Sequence, residues 1–281
     1  MDIKAYGKLN LSLDITGILD NGYHSVSMVM QSVELCDVVS LEKNDTGEIS
    51  VITDNENVPG GNDNIAYKAC QLMKDTYGLS CGFDVKITKN IPVAGGMAGG
   101  STDAAAVIHG INEICELNKS QNELMELGLK LGADVPFCIQ EKCALAEGIG
   151  EKLTNIKGLP SEFYILLVNP NVSVSTKEIY QRVDKYKMFN MVDNKKLVNS
   201  LETKDYPTAF ANMKNVMQNV TNEICPEIRN ITDKLKKSGA EVALMSGSGA
   251  TCYGVFYDQS VAMSAQKQFA GCFTAVTKPL E

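Results

Sequence analysis

The sequence has little of what builds a zinc site or a disulfide framework. Its only histidines are His24 and His109, and none of its nine cysteines belongs to a C-x-x-C pair. Zinc sites are built from closely spaced ligands of these two types, so we do not expect one here. The cysteine number is odd and the spacing is irregular. We therefore expect free thiols that are buried as small apolar side chains in a reducing compartment.

The sequence also lacks an excess of positive charge and a long apolar run. It has 26 Lys+Arg against 34 Asp+Glu, a net charge of −8, whereas a general binder of nucleic acid or of anionic membranes needs the opposite sign. The longest apolar stretch, near Phe163–Val168, is too short to span a bilayer, and the N-terminal segment contains no apolar signal core. We expect a cytoplasmic protein that binds neither nucleic acid nor membrane, while anionic small molecules stay possible as ligands.

What the sequence does have is the balance of a folded protein. Its 281 residues are 44% hydrophobic and 21% charged, which allows one large or two ordinary domains. The order of periodic segments is β-rich, then helical, then mixed, and this predicts two α+β units. The predicted strands are Ile3–Ile15, Ser25–Val33, Asp37–Glu42, Ile49–Thr53, Phe83–Thr88, Phe163–Val168, Glu241–Met245 and Cys252–Tyr257. The predicted helices are Asn64–Tyr77, Ala104–Leu117, Gln121–Leu131, Ile179–Val183, Thr208–Val220 and Glu227–Lys237.

The first predicted strand and the turn after it carry polar and aromatic residues. Alternation along the strand places Lys8 and Asn10 side by side on its polar face. The turn signal Asp20-Asn21-Gly22 leads directly to Tyr23 and His24. On their own these residues are ordinary for an exposed strand and a packed hairpin. The functional interpretation is that the aromatic pair stacks on a flat heterocycle and hydrogen-bonds to it.

The glycine-rich run Pro92–Thr102 is the strongest signal. Backbone amides without a Cβ can approach an anion closely, and the N-terminus of the following helix adds partial positive charge. A Walker loop would end in Gly-Lys-Ser/Thr, but here the last glycine is followed by Ser101. A dinucleotide fingerprint is absent too, because Gly247-Ser248-Gly249 has Cys252 at the third glycine position. The run is either a phosphate loop of another type or a plain turn with a hydroxyl cap.

Asp134 and a second glycine-rich turn have two interpretations each. Asp134 lies just past a predicted helix end, where an aspartate is either a turn residue or a general base for a substrate hydroxyl. As a base it would be kept ionised by a lysine such as Lys8. The turn Ser246–Thr251 is either a simple hairpin or a ligand contact. His109, in the helix after the glycine run, is expected to be structural.

Taken together and in order, these segments resemble the GHMP superfamily of small-molecule kinases. Its members carry an N-terminal strand with a lysine, a central P-x-x-G-G-x-x-G-G-S-S type phosphate loop and a C-terminal glycine-rich turn. The resemblance runs from about Ile3 to Phe256, and it extends to members whose acceptor alcohol is linked to cytidine diphosphate. The segments that carry this part are Ala5–Leu11, Asp20–His24, Leu131–Pro136 and Ala146–Glu151.

The resemblance implies roles for individual residues. Lys8 and Asp134 match the catalytic pair, and Ser101 is the expected Mg²⁺ contact. Asn10 is the implied substrate contact beside the catalytic pair. Tyr23 and His24 match the residues that hold the cytosine, one by stacking and one by hydrogen bonds, with Tyr180 on the other face of the base and Thr176 as a further substrate contact. The implied ATP contacts are Pro92, Val93, Ala94, Gly95, Gly96, Met97, Ala98, Gly99, Gly100, Ser101 and Thr102, with Asn64 and Lys89 near the adenosine.

Asp103 is one residue that the implied ATP site has to accommodate. It follows the Ser101-Thr102 pair, which stands where the family has two serines, and it puts a carboxylate beside the bound phosphates. Repulsion between these charges predicts either a Mg²⁺ contact or a side chain that faces solvent.

The resemblance also implies a fold and a reaction. The expected fold is a two-domain α+β GHMP-kinase-like fold. A ribosomal-protein-S5-like nucleotide domain would span residues 1–155, and a ferredoxin-like α/β substrate domain would span residues 156–281. The expected reaction uses ATP and Mg²⁺ to phosphorylate a small alcohol linked to cytidine diphosphate, in a monomer or weak homodimer. Two alternatives stay open: a GHMP-type kinase for a mevalonate-like alcohol, homoserine or a sugar, and a nucleotide-binding sensor without catalysis.

Overall fold

The computed structural model describes residues 1–20 and 22–281, so Asn21 of the expected turn lies outside the described residues. The chain divides into two compact units that interleave along the sequence. The first unit comprises Met1–Gly7, Leu35–Val93 and Ala98–Glu141, and the second comprises Lys8–Glu34, Ala94–Met97 and Lys142–Glu281. The domain boundary at 155/156 stays a prediction.

Strands and helices are mixed along the chain, which confirms the α+β class. The strands are β1 Asp2–Ile18, β2 His24–Asn44, β3 Ile49–Thr53, β4 Gly82–Thr88, β5 Ala144–Gly148, β6 Lys152–Asn155, β7 Tyr164–Asn169, β8 Val242–Met245, β9 Cys252–Phe256 and β10 Phe273–Thr277. The helices are α1 Ile65–Tyr77, α2 Gly99–Ile114, α3 Gln121–Leu129, α4 Val135–Gln140, α5 Thr176–Tyr186, α6 Asn194–Glu202, α7 Tyr206–Asn212, α8 Val216–Ile224, α9 Glu227–Lys237 and α10 Gln259–Gln266. No helix in the described parts of the chain combines the length and the apolar character that a membrane crossing requires.

The first unit is built around β4. Strand β3 runs parallel to β4, with α1 as the crossover between them, and the Val38–Asn44 part of β2 pairs antiparallel with its other edge. The core includes the fully buried Phe83, Met73 from α1 and Ile108 from α2. Helix α2 therefore packs on the apolar core of the first unit.

The second unit contains an antiparallel sheet in the order β10-β7-β9-β8. Its central strands bury Tyr253 and Phe256 completely. The Val26–Met30 part of β2 pairs antiparallel with β5, and β5 pairs with β6. Five of the nine cysteines of the chain are buried, as expected for small apolar side chains.

Most predicted elements are confirmed, and the exceptions have local causes. The single predicted helix Thr208–Val220 is wrong, because α7 ends at Asn212 and α8 starts after Asn215, whose side chain accepts from the Met217 N–H as an N-cap. The two strands expected between Ser25 and Glu42 form one strand, β2. Helices α4, α6 and α10 and strands β5, β6 and β10 were not predicted from the sequence.

Candidate active site

Lys8 lies in β1 within the second unit, and it is buried rather than exposed. Its Nζ donates to Asn10 Oδ1 at 2.7 Å, which confirms that the two side chains share one face of the strand. The backbone carbonyl of Asn10 accepts from the Tyr253 hydroxyl, and its N–H donates to Ser246 Oγ. The Lys8 N–H donates to the Met97 carbonyl, at the end of the first glycine pair. The Lys8 ammonium is thus oriented by Asn10, and the Lys8 backbone is tied to Met97.

The second glycine-rich turn packs onto the first glycine pair. Ser246 Oγ donates to the Gly96 carbonyl at 2.8 Å, and the Thr251 N–H donates to the Gly95 carbonyl at 3.2 Å. A Cβ at Gly96, where φ is +76°, would lie 2.2 Å from the Ser246 carbonyl oxygen. Only glycine tolerates both this conformation and this approach. The second glycine-rich turn therefore packs against Gly95 and Gly96 and holds their backbone in place.

In the first unit, α2 begins at Gly99 without a side-chain cap. Its N-cap is Ala98, at φ +58°, and no described side chain accepts from its first turn. Other helices do have a capping side chain, namely Asn64 on α1, Ser120 on α3, Ser175 on α5, Asp193 on α6, Asp205 on α7, Asn215 on α8 and Asp258 on α10. The first N–H groups of α2 are left for a ligand or water, and the helix dipole adds positive charge at the same end. Phosphates bind at helix ends of this kind.

The two hydroxyl residues at the start of α2 differ in environment. Thr102 is buried, and its Oγ1 donates to the Tyr6 carbonyl at 2.6 Å. Ser101 is only half-buried. The hydroxyl proton of Thr102 is therefore used within the fold, which leaves Ser101 as the candidate contact to a phosphate or a metal.

Three charged side chains form a buried cluster beside the start of α2. Lys89 Nζ contacts Asp37 Oδ2 and donates to Asp103 Oδ2 at 2.7 Å, and its side chain is 4% exposed. The other oxygen of Asp37 accepts from the N–H groups of Asn90 and Ile91. The cluster thereby ties the segment that enters the glycine run to the first turns of α2.

Asp103 does not face solvent, so that part of the expectation is wrong. Its side chain is buried, and Oδ1 has no hydrogen-bond partner among the described residues. Burial raises the pKa of the Asp103 carboxyl to about 7, while Lys89 acts in the opposite direction and Asp37 in the same one. Burial also opposes the charge of Lys89, but the attraction of Asp103 and Asp37 together outweighs it and raises the pKa of Lys89. A metal contact of Asp103 stays a prediction.

The two residues expected near the adenosine have engaged side chains. Asn64 is the N-cap of α1, where its Oδ1 accepts from the Ala66 N–H at 2.8 Å and its Nδ2 donates to the Pro59 carbonyl at 2.8 Å. Lys89 belongs to the charged cluster. Both residues therefore shape the backbone around them, and their contact with adenosine stays a prediction.

Asp134 is the N-cap residue of the short helix α4, which the sequence analysis did not predict. Its carbonyl accepts from the Cys138 N–H, but its carboxylate does not cap the helix. The side chain is half-buried. Asp134 thus occupies the N-cap position of α4, but its carboxylate does not cap that helix.

The expected base-binding residues lie in the second unit. The rings of His24 and Tyr180 stack, with centroids 4.4 Å apart and planes at 29°. Thr176 Oγ1 lies 2.8 Å from Ser248 Oγ, so it contacts the second glycine-rich turn. Tyr23 is 62% exposed, which is unusual for a large aromatic side chain. The unit joins His24 to Tyr180 and presents Tyr23 at the surface.

Sequence reasoning missed Asp37 and Asp184. Asp37 sits in the middle of β2 and was assigned only to a strand. Asp184 Oδ1 lies 2.7 Å from His24 Nε2. A signal for Asp184 existed, because it follows Thr176 and Tyr180 at a four-residue spacing on one helix. His109 contacts the Ile139 carbonyl in the first unit, consistent with its expected structural role.

Known proteins resemble the chain in both sequence and fold. The model of the GHMP kinases N terminal domain matches residues 64–142, and that of the GHMP kinases C terminal matches residues 197–273. The 4-diphosphocytidyl-2-C-methyl-D-erythritol kinase of Clostridioides difficile (strain 630) is 44% identical over 95% of this chain and 90% of the relative. The kinase of the same name from Clostridium novyi (strain NT) is 41% identical over 98% of both chains.

A solved structure shows the same fold. The crystal structure of a 4-(cytidine 5'-diphospho)-2C-methyl-D-erythritol kinase superposes with a TM-score of 0.82 at 24% identity, covering 99% of both chains. The fold agrees with the α+β order described above, and the sequence relatives extend over nearly the whole chain. The chain therefore belongs to the GHMP kinases, in the family of the 4-diphosphocytidyl-2-C-methyl-D-erythritol kinases.

Proposed function

We propose that this protein transfers a phosphoryl group from ATP to the 2-hydroxyl of 4-diphosphocytidyl-2-C-methyl-D-erythritol. This step belongs to the non-mevalonate route to isoprenoid precursors, and we place it in the cytoplasm, in a monomer or weak homodimer. The names of the relatives support the reaction. Within the structure, the stacked rings of His24 and Tyr180 support a substrate with a nucleobase. A mevalonate-like alcohol, homoserine or a sugar offers no flat base to such a pair.

The phosphates of ATP would bind at the uncapped start of α2. The N–H groups of Gly99 and Gly100 and the Ser101 hydroxyl are the donors at this end. The run Pro92–Ala98, which precedes the helix, would follow the phosphate chain. Asn64 and Lys89 would shape the adenosine side through the backbone segments that they hold.

Ser101 is the protein residue that would contact Mg²⁺. This ion keeps several water ligands and usually binds through substrate phosphates with one or two protein groups. The described residues contain no group of three or more His, Cys, Asp or Glu that could hold a metal, which suits an ion that arrives with the nucleotide. When bound, the ion neutralises charge on the β- and γ-phosphates.

Asp134 would act as the general base. It accepts the proton of the 2-hydroxyl, whose oxygen forms a bond to the γ-phosphorus while the bond to the β–γ bridging oxygen breaks and ADP leaves. Lys8 would offset the charge that develops on the transferred group. Asn10 holds the Lys8 ammonium in orientation, as its 2.7 Å contact supports.

The cytidine would be held by residues of the second unit. Tyr23 and Tyr180 would stack on the two faces of the cytosine, and His24 would hydrogen-bond to its edge. Thr176 would contact the remainder of the substrate beside Ser248. Stacking geometry of this kind is tolerant of base identity, so the hydrogen bonds must supply the selectivity.

A substrate panel with γ-labelled ATP tests the proposed function. The panel contains 4-diphosphocytidyl-2-C-methyl-D-erythritol, mevalonate, homoserine and galactose. We expect label only in the first compound, at its 2-position by phosphorus NMR, and competitive inhibition by CDP. Label in another alcohol would point to a different kinase of the superfamily, and no label in any alcohol would point to a sensor.

A further inference from the structure

Helix α5 presents three polar residues on one face. Thr176, Tyr180 and Asp184 are spaced by four residues, and residues at this spacing lie above one another on an α-helix. The first two are the substrate contacts proposed above. Asp184, one turn further on, has no role in that proposal.

Asp184 and Tyr180 hold the same imidazole ring. Asp184 Oδ1 lies 2.7 Å from His24 Nε2, and the ring of Tyr180 stacks on that imidazole with centroids 4.4 Å apart. The His24 side chain is 14% exposed and that of Asp184 is 35% exposed. Water is thus partly excluded from the contact, and a hydrogen bond to a charged group is stronger in such a setting than at an open surface.

Helix stability does not explain an aspartate at this position. Asp184 lies in the last turn of α5, which ends at Tyr186. The C-terminal end of a helix carries partial negative charge, so a carboxylate there is unfavourable. Its contact with His24 is the interaction that compensates for this placement.

The contact also determines which atom of His24 can read a base. An ionised carboxylate only accepts hydrogen bonds, so Nε2 must carry the proton that points to Asp184. In the neutral ring, Nδ1 is then an acceptor. An acceptor suits the exocyclic amine of cytosine, whereas uracil has a carbonyl oxygen at the same place.

We propose that Asp184 is a positioning residue that fixes the His24 ring against Tyr180 and keeps Nδ1 as an acceptor, so that the site prefers cytosine to uracil. This inference rests on the proposed function, because it assumes that His24 contacts the base. Asp184 acts through His24 and does not touch the reacting atoms.

The test compares CDP and UDP as competitive inhibitors of wild-type protein and of Asp184→Ala and Asp184→Asn. In Asp184→Ala the ring is free to turn, and we expect the inhibition constant of CDP to rise by about tenfold. The preference for CDP over UDP should shrink, while kcat and the KM for ATP stay close to wild type. Asp184→Asn should keep most of the CDP affinity, because its amide oxygen can still accept from Nε2–H.

Glu178→Gln is the matched control. Glu178 lies on the same helix, and it forms an ion pair with Arg182 at 2.9 Å. Its substitution removes the same charge and should change neither inhibition constant. The inference is overturned if CDP inhibits Asp184→Ala as strongly as wild type, or if the ratio of the CDP and UDP inhibition constants is unchanged. It is also overturned if Asp184→Asn does not restore the affinity for CDP. If the variants give these negative results while the wild-type protein phosphorylates the substrate and is inhibited by CDP, the proposed function stands and only this inference fails. If CDP does not inhibit the wild-type protein, both are contradicted.

Discussion

Two sites in this molecule place aspartate carboxylates against a nitrogen-bearing side chain, and the two sites differ in burial. In the first unit, Asp37 and Asp103 enclose Lys89, whose side chain is 4% exposed. In the second unit, Asp184 contacts His24, and the two side chains are 35% and 14% exposed. The first cluster contacts backbone N–H groups at the entry to the glycine run, and the second contact holds an aromatic ring at the surface.

The difference shows that burial decides whether a charged group acts on the backbone or on a ligand. A cluster with no access to water cannot exchange its partners for a ligand, so its effect on function passes through the backbone that it fixes. The pair of His24 and Asp184 is partly exposed, so a ligand can reach it. We therefore expect changes in the first region to alter stability, and changes at half-exposed polar residues to alter kinetics.

Lys89→Met gives the largest expected effect. It leaves Asp37 and Asp103 buried without their counter-charge, and breaking a buried pair in this way costs about 3–5 kcal/mol of unfolding free energy. Urea denaturation measures the change. Lys86→Met is the control, because Lys86 is exposed on β4, the strand that ends just before Lys89. Equal stability of the two variants would break the comparison.

Asp134→Asn should do the opposite and spare stability. Loss of a general base lowers kcat by at least about a hundredfold, while the KM for ATP stays near wild type. The carboxylate does not cap α4, so the substitution removes no N-cap from that helix. Steady-state kinetics with the cytidylated substrate decide this, and near-normal turnover would remove Asp134 from the mechanism.

Ser101→Ala should have an intermediate effect on nucleotide binding. Loss of one hydroxyl contact raises the KM for Mg-ATP by about three- to tenfold. Thr102→Ser is the matched control, because it keeps the hydroxyl that donates to the Tyr6 carbonyl. A similar rise in KM for both variants would show that the half-buried and the buried hydroxyl do not differ in role.

The last prediction concerns the pH dependence of the unfolding free energy. The pKa of Asp103 is raised by burial to about 7 from 3.8, so the folded protein holds this proton more tightly than the unfolded chain. The resulting stabilisation is complete below about pH 4 and is lost as the pH rises through 7.

Asp103→Asn cannot titrate, so its unfolding free energy should fall less steeply across this range, by under about 1.4 kcal/mol per pH unit. Glu141→Gln is the comparison, since burial also raises the pKa of Glu141 to about 7. Denaturation curves at several pH values measure both slopes. Parallel profiles for wild type and Asp103→Asn would contradict the assignment.

Local signals in the sequence predicted many elements of the fold. The strand Ile3–Ile15 and the helices Asn64–Tyr77 and Gln121–Leu131 depend on neighbouring residues only, and all three are confirmed to within three residues at each end. The single buried face expected for the first strand is wrong, because every residue from Lys8 to Asp14 is buried. The start of α2 was placed five residues too late, because glycine disfavours helices and only packing below the helix compensates for this.

The candidate site was predictable where it depended on motifs and not where it depended on distant contacts. The adjacency of Lys8 and Asn10 follows from strand geometry. Lys89 and Asp37 are 52 residues apart in sequence, and His24 and Asp184 are 160 apart. No local pattern pairs such residues, so the charged cluster and the positioning contact emerged only from the fold.

The interleaving of the two units has a practical consequence for truncation. The first unit is made of three separate stretches, and Lys8–Glu34 and Ala94–Met97 belong to the second. A single cut near residue 155 would leave those two stretches and residues 142–155 on the N-terminal fragment, away from the rest of their unit. Neither half should therefore behave as an autonomous module when expressed alone, and isolated fragments would be poor substitutes for the intact chain in binding assays.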